Sequence, residues 1–207
     1  MVAKIPHQLD TFHGHSLLPG LLPECPMVLD VGAREFAFSS AVAEIRPKAS
    51  FVCLEPDPTV TGLPWHTFLN VALVHDARES SGYASYSTGE GNFLSDDPVW
   101  YATMLRVPCI NIVALMEKLG VRHWDLIKLD CEGSEFEILE NWPGPIATQI
   151  SVEFHDCKDN RKWGDAYFAN LWQKLPDYAV VQHALTPIGP DSYMGHWDSL
   201  LVLKTCA

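Results

Sequence analysis

Residues 27–55 read MVLDVGAREFAFSSAVAEIRPKASFVCLE, and this segment predicts a strand, a helix and a second strand. The apolar runs at 27–31 and 51–55 are typical of strands that are buried on both faces of a parallel sheet. Apolar side chains recur at helical spacing between the two runs, and Pro47 ends the helix because proline has no backbone N–H to donate. The segment therefore predicts one β-α-β unit, whose crossover is expected to be right-handed.

The same alternation continues to the end of the chain, which is typical of a parallel sheet with helices on both faces. Further strands are expected at 67–73, 125–130, 148–154, 178–183 and 199–204. Helices are expected at 112–119, after a capping-box pattern formed by Ser134 and Glu137, and at 167–175. The sequence thus predicts an α/β fold with a doubly wound, mostly parallel sheet of about seven strands, in which the last two strands form an antiparallel hairpin.

Two stretches depart from this alternation. Residues 1–26 contain several prolines, and we expect a lead-in with at most one short helix that acts as a cap. Residues 75–105 are polar and rich in Gly, Ser and Tyr, and the alternation at 83–86 predicts an irregular hairpin outside the main sheet. The domain itself is expected to span residues 27–207, with the insertion covering a site.

The composition limits the classes of function. The 207 residues are 47% hydrophobic and carry a net charge of −12, so the chain can bury a large core and is expected to repel a nucleic-acid backbone. No apolar run is long enough to cross a bilayer and the first residues lack a secretory signal, so a soluble cytoplasmic protein without membrane insertion is expected. The six cysteines include no C-x-x-C pair, and most of them are expected to be reduced residues of the core. No pattern sets the oligomeric state.

The turn after the first strand is a candidate ligand site that runs from Asp30 through Gly32 and Ala33 to Arg34. An acidic residue at a strand end, followed by a glycine turn into a helix, brings backbone amides close to a ligand at the helix N-terminus. The second strand ends in Glu55, where adenosine-binding folds place a carboxylate that accepts hydrogen bonds from the ribose hydroxyls. The two features together predict an adenosine ligand, whereas each one alone is also typical of a plain tight turn or strand end.

The phosphate-binding patterns of other adenosine sites are absent from the sequence. The dinucleotide pattern G-x-G-x-x-G would need glycine at Arg34 and near Ala37, and no G-x-x-x-x-G-K-[ST] loop occurs. Because the sequence contains an adenosine-site pattern but no phosphate-binding loop, S-adenosylmethionine is the simplest candidate cofactor.

A second candidate site follows the strand at 125–130, where residues 128–135 read KLDCEGSE. Asp130 and Glu132 are expected at the carboxyl edge of the sheet, where open α/β folds bind their ligands. Carboxylates gathered at such an edge need a cation, a hydroxyl donor or a positively charged ligand. Glu135 is also typical of an acid at a helix N-terminus, where the helix dipole favours it.

The segment KLDCEGSE resembles the hallmark K-[IL]-D-x-E-G-x-E of the FkbM family of S-adenosylmethionine-dependent methyltransferases, and the similarity extends over residues 27–155. This resemblance implies a Rossmann-like class I methyltransferase fold. It also implies methyl transfer to a hydroxyl of a sugar, a glycolipid or a natural-product acceptor. The residues expected at the cofactor are Asp30, Gly32, Ala33, Arg34, Glu55, Asn70, Val71, Ala72 and Asp130.

One position departs from the family pattern. Such families carry a second glycine about where Glu35 and Phe36 stand in this chain. A bulky Phe36 would narrow or close the pocket beside the methionine part of the cofactor. The alternative function is therefore a catalytically degenerate methyltransferase-like module that binds a metabolite or scaffolds a partner.

The candidate catalytic residues, Asp130, Glu132 and His155, follow two strands that are expected to be neighbours. Glu153 and Asp156 lie at the end of the same strand as His155, and three interpretations stay open for the group formed by Glu153, His155 and Asp130. His155 acts as a base on the acceptor hydroxyl, or the group binds a divalent ion such as magnesium or manganese, or it forms a structural polar network beneath the pocket. His13 and His15, by contrast, are expected on the surface of the lead-in.

Overall fold

The structure is a computed structural model that describes residues 8–75, 83–87, 104–155, 165–187 and 195–206. The first residues of the expected lead-in and most of the expected insertion lie outside these ranges. The division of the chain into a lead-in, a domain and an insertion therefore stays a prediction.

The described chain forms twelve strands and four α-helices. The strands are β1 (Asp10–Phe12), β2 (His15–Leu17), β3 (Met27–Val31), β4 (Ser50–Leu54), β5 (His66–Leu69), β6 (Ala72–Val74), β7 (Tyr83–Ser87), β8 (Met104–Asn111), β9 (Trp124–Leu129), β10 (Ala147–His155), β11 (Tyr178–Pro187) and β12 (Gly195–Leu203). The helices are α1 (Ala37–Ile45), α2 (Ile112–Leu119), α3 (Glu135–Glu140) and α4 (Asp165–Lys174). None of the described helices is both long and apolar enough to cross a membrane.

Seven strands form the central sheet, in the order β11-β12-β10-β9-β3-β4-β5. The strands from β10 to β5 in this order are parallel, whereas β12 runs antiparallel to both β10 and β11. The predicted α/β fold with a C-terminal antiparallel hairpin is confirmed. The strand order reverses between β3 and β9, so the carboxyl ends of these two strands flank the crevice in which open α/β sheets bind ligands.

The central strands are apolar on both faces because two core clusters enclose them. Val28 and Leu126 belong to the cluster that contains Phe38 of α1, whereas their chain neighbours Leu29 and Ile127 belong to the cluster that α2, α3 and α4 complete. Successive side chains of a strand point to opposite faces, so each strand feeds both clusters. This double burial explains why the strands stand out in the sequence as continuous apolar runs.

The prediction of one strand at 67–73 is wrong, because this segment forms two separate strands, β5 and β6. At the break, the Asn70 side-chain amide donates hydrogen bonds to the carbonyl oxygens of Glu55, Asp57 and Val60. After this anchor, β6 leaves the central sheet and pairs with β8, which also pairs with β7. The pairing of β7 confirms the predicted strand structure outside the main sheet.

The lead-in contains more structure than the sequence predicts. Besides a 3-10 helix at Pro19–Leu21, it forms the hairpin β1-β2, whose turn residues are His13 and Gly14. Both turn residues have positive φ angles (48° and 83°), as two-residue turns that match the twist of a hairpin require. Leu18, just after β2, exchanges two backbone hydrogen bonds with the Gln149 side chain on β10 (2.7 and 3.1 Å), which fixes the hairpin against the central sheet.

Candidate functional site

Lys128 joins the carboxyl ends of β3 and β9. Its Nζ lies 3.4 Å from Asp30 Oδ1 and 3.1 Å from Asp130 Oδ2, and it donates to the carbonyl oxygens of Gly32 (2.7 Å) and Val31 (3.2 Å). Lys128 is only 4% exposed. Burial alone would lower its pKa, but the two carboxylates outweigh burial and raise the pKa, so Lys128 stays charged. Sequence reasoning assigned no role to Lys128, although the family hallmark contains it.

Gly32 makes the turn after β3 possible. It has a φ angle of +74°, and a Cβ atom at this position would lie 1.9 Å from the backbone oxygen of Asp130. The N–H groups of Gly32 and Ala33 both donate to the carbonyl oxygen of Leu54 (2.9 and 3.1 Å). Both of these amides therefore already have a hydrogen-bond acceptor within the fold.

A cavity of about 230 Å³ opens in front of this turn. The predicted cofactor residues among its lining are Asp30, Gly32, Ala33, Arg34 and Asp130. Asp30 is 1% exposed, and within the described part of the chain neither of its carboxylate oxygens has a hydrogen-bond donor, because Lys128 lies at ion-pair distance without hydrogen-bond geometry. A buried carboxylate of this kind fits a ligand that carries a positive or hydrogen-bond-donating group.

Phe36 does not fill the cavity, although it stands where the family pattern has a glycine. It precedes α1 with a φ angle of 55°, in the left-handed region that favours glycine. Its ring packs against His66 and Phe68 of β5, at centroid distances of 5.1 and 5.6 Å, and it forms part of the cavity wall. The cavity therefore stays open beside Phe36.

The structure does not bring the other predicted cofactor residues into this cavity, as far as the described lining residues show. Glu55, just after β4, is 4% exposed, and its Oε1 accepts a hydrogen bond from the backbone N–H of Asp57 (2.9 Å). Burial raises the pKa of the Glu55 carboxyl. Asn70 holds the loop after β4, Val71 is half-buried, and Ala72 is buried in β6. Their contact with an adenosine group stays a prediction.

The candidate catalytic residues meet at the carboxyl ends of β9 and β10, in a group that we call the His155 cluster: His155, Asp130, Glu132, Glu135 and Glu153. His155 Nδ1 lies 3.2 Å from Glu135 Oε1, and Nε2 lies 3.3 Å from Glu153 Oε1. The same Nε2 is 3.7 Å from Glu132 Oε2 and 3.8 Å from Asp130 Oδ1. The two neighbouring strands thus bring all three candidate catalytic residues together.

Glu135 organises the loop that carries Glu132. It is fully buried, its Oε1 accepts a hydrogen bond from the N–H of Cys131 (2.6 Å), and its Oε2 accepts one from Gly133 (2.8 Å). These bonds hold Glu132 and Gly133 at positive φ angles of 55° and 110°. The predicted capping box is wrong, because the Ser134 side chain makes no cap hydrogen bond with any described residue.

The surroundings shift the pKa values of the His155 cluster. Burial alone would lower the pKa of His155, but hydrogen bonds to glutamates, Glu135 first among them, outweigh burial and raise the pKa to about 12. Burial would raise the pKa of Asp130, but Lys128 outweighs it and holds the pKa well below its usual range. Burial raises the pKa of Glu132. At neutral pH His155 therefore keeps its proton, and Asp130 is ionised.

His15 belongs to the same site, and sequence analysis missed it. It is 2% exposed, so its predicted place on the surface is wrong. Its Nε2 is 3.6 Å from both Asp130 Oδ2 and Glu153 Oε2, and its Nδ1 is 3.4 Å from Ser151 Oγ. The hairpin β1-β2 folds His15 onto the central sheet, whereas His13 stays exposed at the turn as expected.

A family model described as a methyltransferase FkbM domain matches residues 30–182, which is more than half of the chain. The matched range contains Asp30, Glu55, Asp130 and His155, and it excludes His15. No curated protein sequence matches the chain.

Several solved structures are similar to this chain. TrmK from M. capricolum, in complex with S-adenosyl-homocysteine, is 8% identical with a TM-score of 0.44, over 90% of this chain and 66% of that chain. The fibrillarin pre-rRNA processing protein of Methanococcus jannaschii is 14% identical with a TM-score of 0.47, over 97% of this chain and 84% of that chain. An FkbM methyltransferase from Methylobacillus flagellatus is 15% identical with a TM-score of 0.45, over 87% of this chain and 45% of that chain. The chain thus spans less than half the length of this last structure, and each likeness concerns the fold alone.

Proposed function

The chain belongs to the FkbM family of S-adenosylmethionine-dependent methyltransferases, and we propose that it methylates a hydroxyl group of a small-molecule or glycan acceptor. The observation that carries this proposal is the place of the His155 cluster. The cluster borders the cavity at the β3–β9 crevice through a shared residue, Asp130. A hydroxyl is a poor nucleophile that benefits from a group that accepts its proton, and the cluster offers carboxylates beside the cavity.

The cavity is the proposed place of the amino-acid end of the cofactor. Asp30, a buried carboxylate without a hydrogen-bond donor in the described chain, suits the positively charged amino group of that end. Gly32, Ala33 and Arg34 line the same cavity. Glu55, at the end of the neighbouring strand, is the proposed partner of the ribose hydroxyls.

Lys128 and the His155 cluster set the alignment on which an in-line displacement depends. Lys128 fixes Asp30 and Asp130 relative to each other, because its Nζ pairs with both carboxylates. The bound cofactor supplies a methyl group on a sulfonium, so that the acceptor oxygen forms the new O–C bond while the S–C bond breaks and leaves its electron pair on sulfur.

Glu132 is the proposed acceptor of the hydroxyl proton. Its side chain is 42% exposed, against 25% for Asp130 and 16% for Glu153, so it is the carboxylate of these three that an acceptor reaches first. His155 acts as a positioning residue instead of a base, because both of its ring nitrogens face carboxylate oxygens and neither offers a lone pair to the acceptor. This arrangement favours the structural interpretation of His155 over the hypothesis that it is the base.

The negative charge of the carboxylates in the His155 cluster limits which charged groups the acceptor can carry near the reacting hydroxyl. Asp130, Glu132 and Glu153 would repel a phosphate or carboxylate group placed next to the reacting hydroxyl. We therefore expect an acceptor that is neutral or cationic around that hydroxyl. The net charge of −12 would likewise repel the phosphate backbone of a nucleic acid, so we do not expect nucleic acid as a partner.

A catalytically inactive binding module is the second candidate function, and one observation favours it. The cavity of about 230 Å³ is smaller than the roughly 300 to 1,000 Å³ of common ligand pockets, and its described lining does not include Glu55. A small metabolite would fit this cavity without reaching the end of β4.

Calorimetric titration tests the cofactor site. We expect wild-type protein to bind S-adenosylmethionine and S-adenosylhomocysteine, and Asp30→Asn to weaken binding by roughly 1 to 3 kcal/mol because a buried charged contact is lost. Asp177→Asn is the matched control, since Asp177 is exposed and lies at the opposite end of the sheet. Failure of folded wild-type protein to bind either compound would overturn the enzyme assignment.

Transfer of a labelled methyl group from the cofactor to a panel of hydroxylated small molecules and glycans tests the chemistry. The expected product is a base-stable methyl ether, and Glu132→Gln should slow its formation by roughly 100-fold or more while leaving the affinity for S-adenosylhomocysteine unchanged. Label on nitrogen or carbon would contradict O-methylation. Cofactor binding without transfer to any acceptor of the panel would favour the binding module.

A further inference from the structure

Three side-chain atoms from different strands converge on one point beside the cavity: His15 Nε2, Asp130 Oδ2 and Glu153 Oε2. The three atoms lie within 4.8 Å of one another. Each distance from Nε2 to a carboxylate oxygen is 3.6 Å, which is too long for a hydrogen bond. Among the described residues, Nε2 has no hydrogen-bond partner, although His15 is buried. A buried polar atom in this state needs a partner that these neighbours do not supply.

We propose that His15, Asp130 and Glu153 bind a divalent metal ion. An ion about 2.1 Å from each of two tetrahedrally arranged donors holds those donors about 3.4 Å apart. The observed spacings of 3.6 Å match donors that share an ion better than donors that share a proton. One imidazole nitrogen and two carboxylate oxygens suit an ion that accepts mixed nitrogen and oxygen ligands, such as Mn²⁺ or Zn²⁺.

The neighbours of the three ligands hold them in place, as the outer residues of metal sites commonly do. Ser151 Oγ lies 3.4 Å from His15 Nδ1, which orients the ring with Nε2 toward the two carboxylates. His155 Nε2 faces the other oxygens of the same carboxylates, at 3.3 Å from Glu153 Oε1 and 3.8 Å from Asp130 Oδ1. Each carboxylate thus presents one oxygen to His155 and the other to the proposed ion, and Asp130 Oδ2 also lies 3.1 Å from Lys128 Nζ.

The proposed ion site borders the cavity. Three protein ligands are typical of catalytic metal sites, which leave a position for water or substrate. His15 and Asp130 both line the cavity, so a ligand in the cavity can reach the ion. A role of the ion in orienting the acceptor hydroxyl rests on the proposed function, whereas binding of the ion does not.

Titration of the chelator-stripped, cofactor-free full chain with Mn²⁺ alone tests the proposal. Electron paramagnetic resonance reports free Mn²⁺, and pulsed measurements report a directly bound imidazole nitrogen. We expect one bound Mn²⁺ per chain with coupling to one imidazole. His15→Asn and Glu153→Gln should each weaken binding by roughly 10-fold or more.

His123→Asn and Glu137→Gln are the matched controls, because both residues are exposed and neither belongs to the three ligands. We expect them to bind Mn²⁺ within about 2-fold of wild type, since substitutions remote from a site leave its ligands in place. Absence of Mn²⁺ binding by folded wild type, or equal binding by wild type and both ligand variants, overturns the proposal. Bound Mn²⁺ without imidazole coupling in wild type also overturns the proposal, and if one ligand variant does not fold, the other variant decides. Titration with S-adenosylhomocysteine in chelator is a separate measurement, so failure of the metal site and failure of the proposed function are distinguishable.

Discussion

Asp30 on β3 and Lys128 on β9 are register partners in the central sheet, and Lys128 Nζ lies 3.4 Å from Asp30 Oδ1 in the interior of the protein. Lys128 also pairs with Asp130, 3.1 Å away. One buried cation therefore links the turn that lines the cavity to the His155 cluster. The two halves of the candidate site share this contact at the point where the strand order reverses.

Lys128→Met should lower the free energy of unfolding by about 3 to 5 kcal/mol, because it leaves two carboxylates without their buried cation. Lys48→Met is the matched control, since Lys48 forms an exposed ion pair with Glu24. Such a pair contributes about 1 kcal/mol or less. Denaturant unfolding of the two variants measures the difference, and equal losses would contradict a structural role for Lys128.

Gly32→Ala should destabilise the protein more than Gly120→Ala. Both glycines have positive φ angles, so either alanine costs about 1 to 2 kcal/mol of backbone strain. Only at Gly32 does the added Cβ collide with a backbone oxygen, whereas no atom lies within 4 Å of the Cβ position at Gly120. Thermal unfolding of both variants tests this difference. Similar unfolding midpoints would contradict it, because they would mean that the backbone at Gly32 moves to accommodate the added Cβ.

Glu135→Gln should destabilise the loop at 131–134, because a neutral amide cannot accept both backbone hydrogen bonds that the carboxylate holds. The expected loss is about 1 to 3 kcal/mol of unfolding free energy. Glu137→Gln, two positions further on α3, should cost less than about 0.5 kcal/mol because its side chain is largely exposed. Chemical unfolding measures both values, and the reverse ranking would contradict the role of Glu135.

Alkylation of the folded protein should modify Cys25 and Cys206 well before Cys53. Cys25 and Cys206 are exposed, whereas Cys53 is buried and burial raises the pKa of its thiol to about 12. The reactive form is the thiolate, so Cys53 is both inaccessible and protonated at pH 8. Peptide mass spectrometry after short exposure to iodoacetamide gives the order, and early labelling of Cys53 would contradict the packing of β4.

The central sheet could be predicted from the sequence because its strands are buried on both faces. Val28 and Leu29 pack into different clusters, and this double burial leaves the apolar run that marks β3. Asp130, Glu132 and His155 were also accessible to sequence reasoning, since polar residues at the ends of neighbouring parallel strands meet at one edge.

The contributions of His15 and Glu135 could not be predicted, because each depends on a local backbone conformation. His15 reaches Ser151, 136 positions away, only through the β1-β2 hairpin and its positive-φ turn. Glu135 turns back to Cys131 and Gly133 because the intervening residues adopt positive φ angles, whereas the sequence pattern favoured Ser134 as the cap. The spacing of apolar residues in the sequence does not predict these positive-φ backbone conformations.

A crystal structure of the protein with S-adenosylhomocysteine is the most direct measurement of where the cofactor binds. The proposed function predicts the amino-acid end of the ligand against Asp30 and Gly32, and the ribose hydroxyls on the Glu55 carboxylate. Ligand density elsewhere on the protein, with no ligand group in contact with Asp30, would contradict the proposed site.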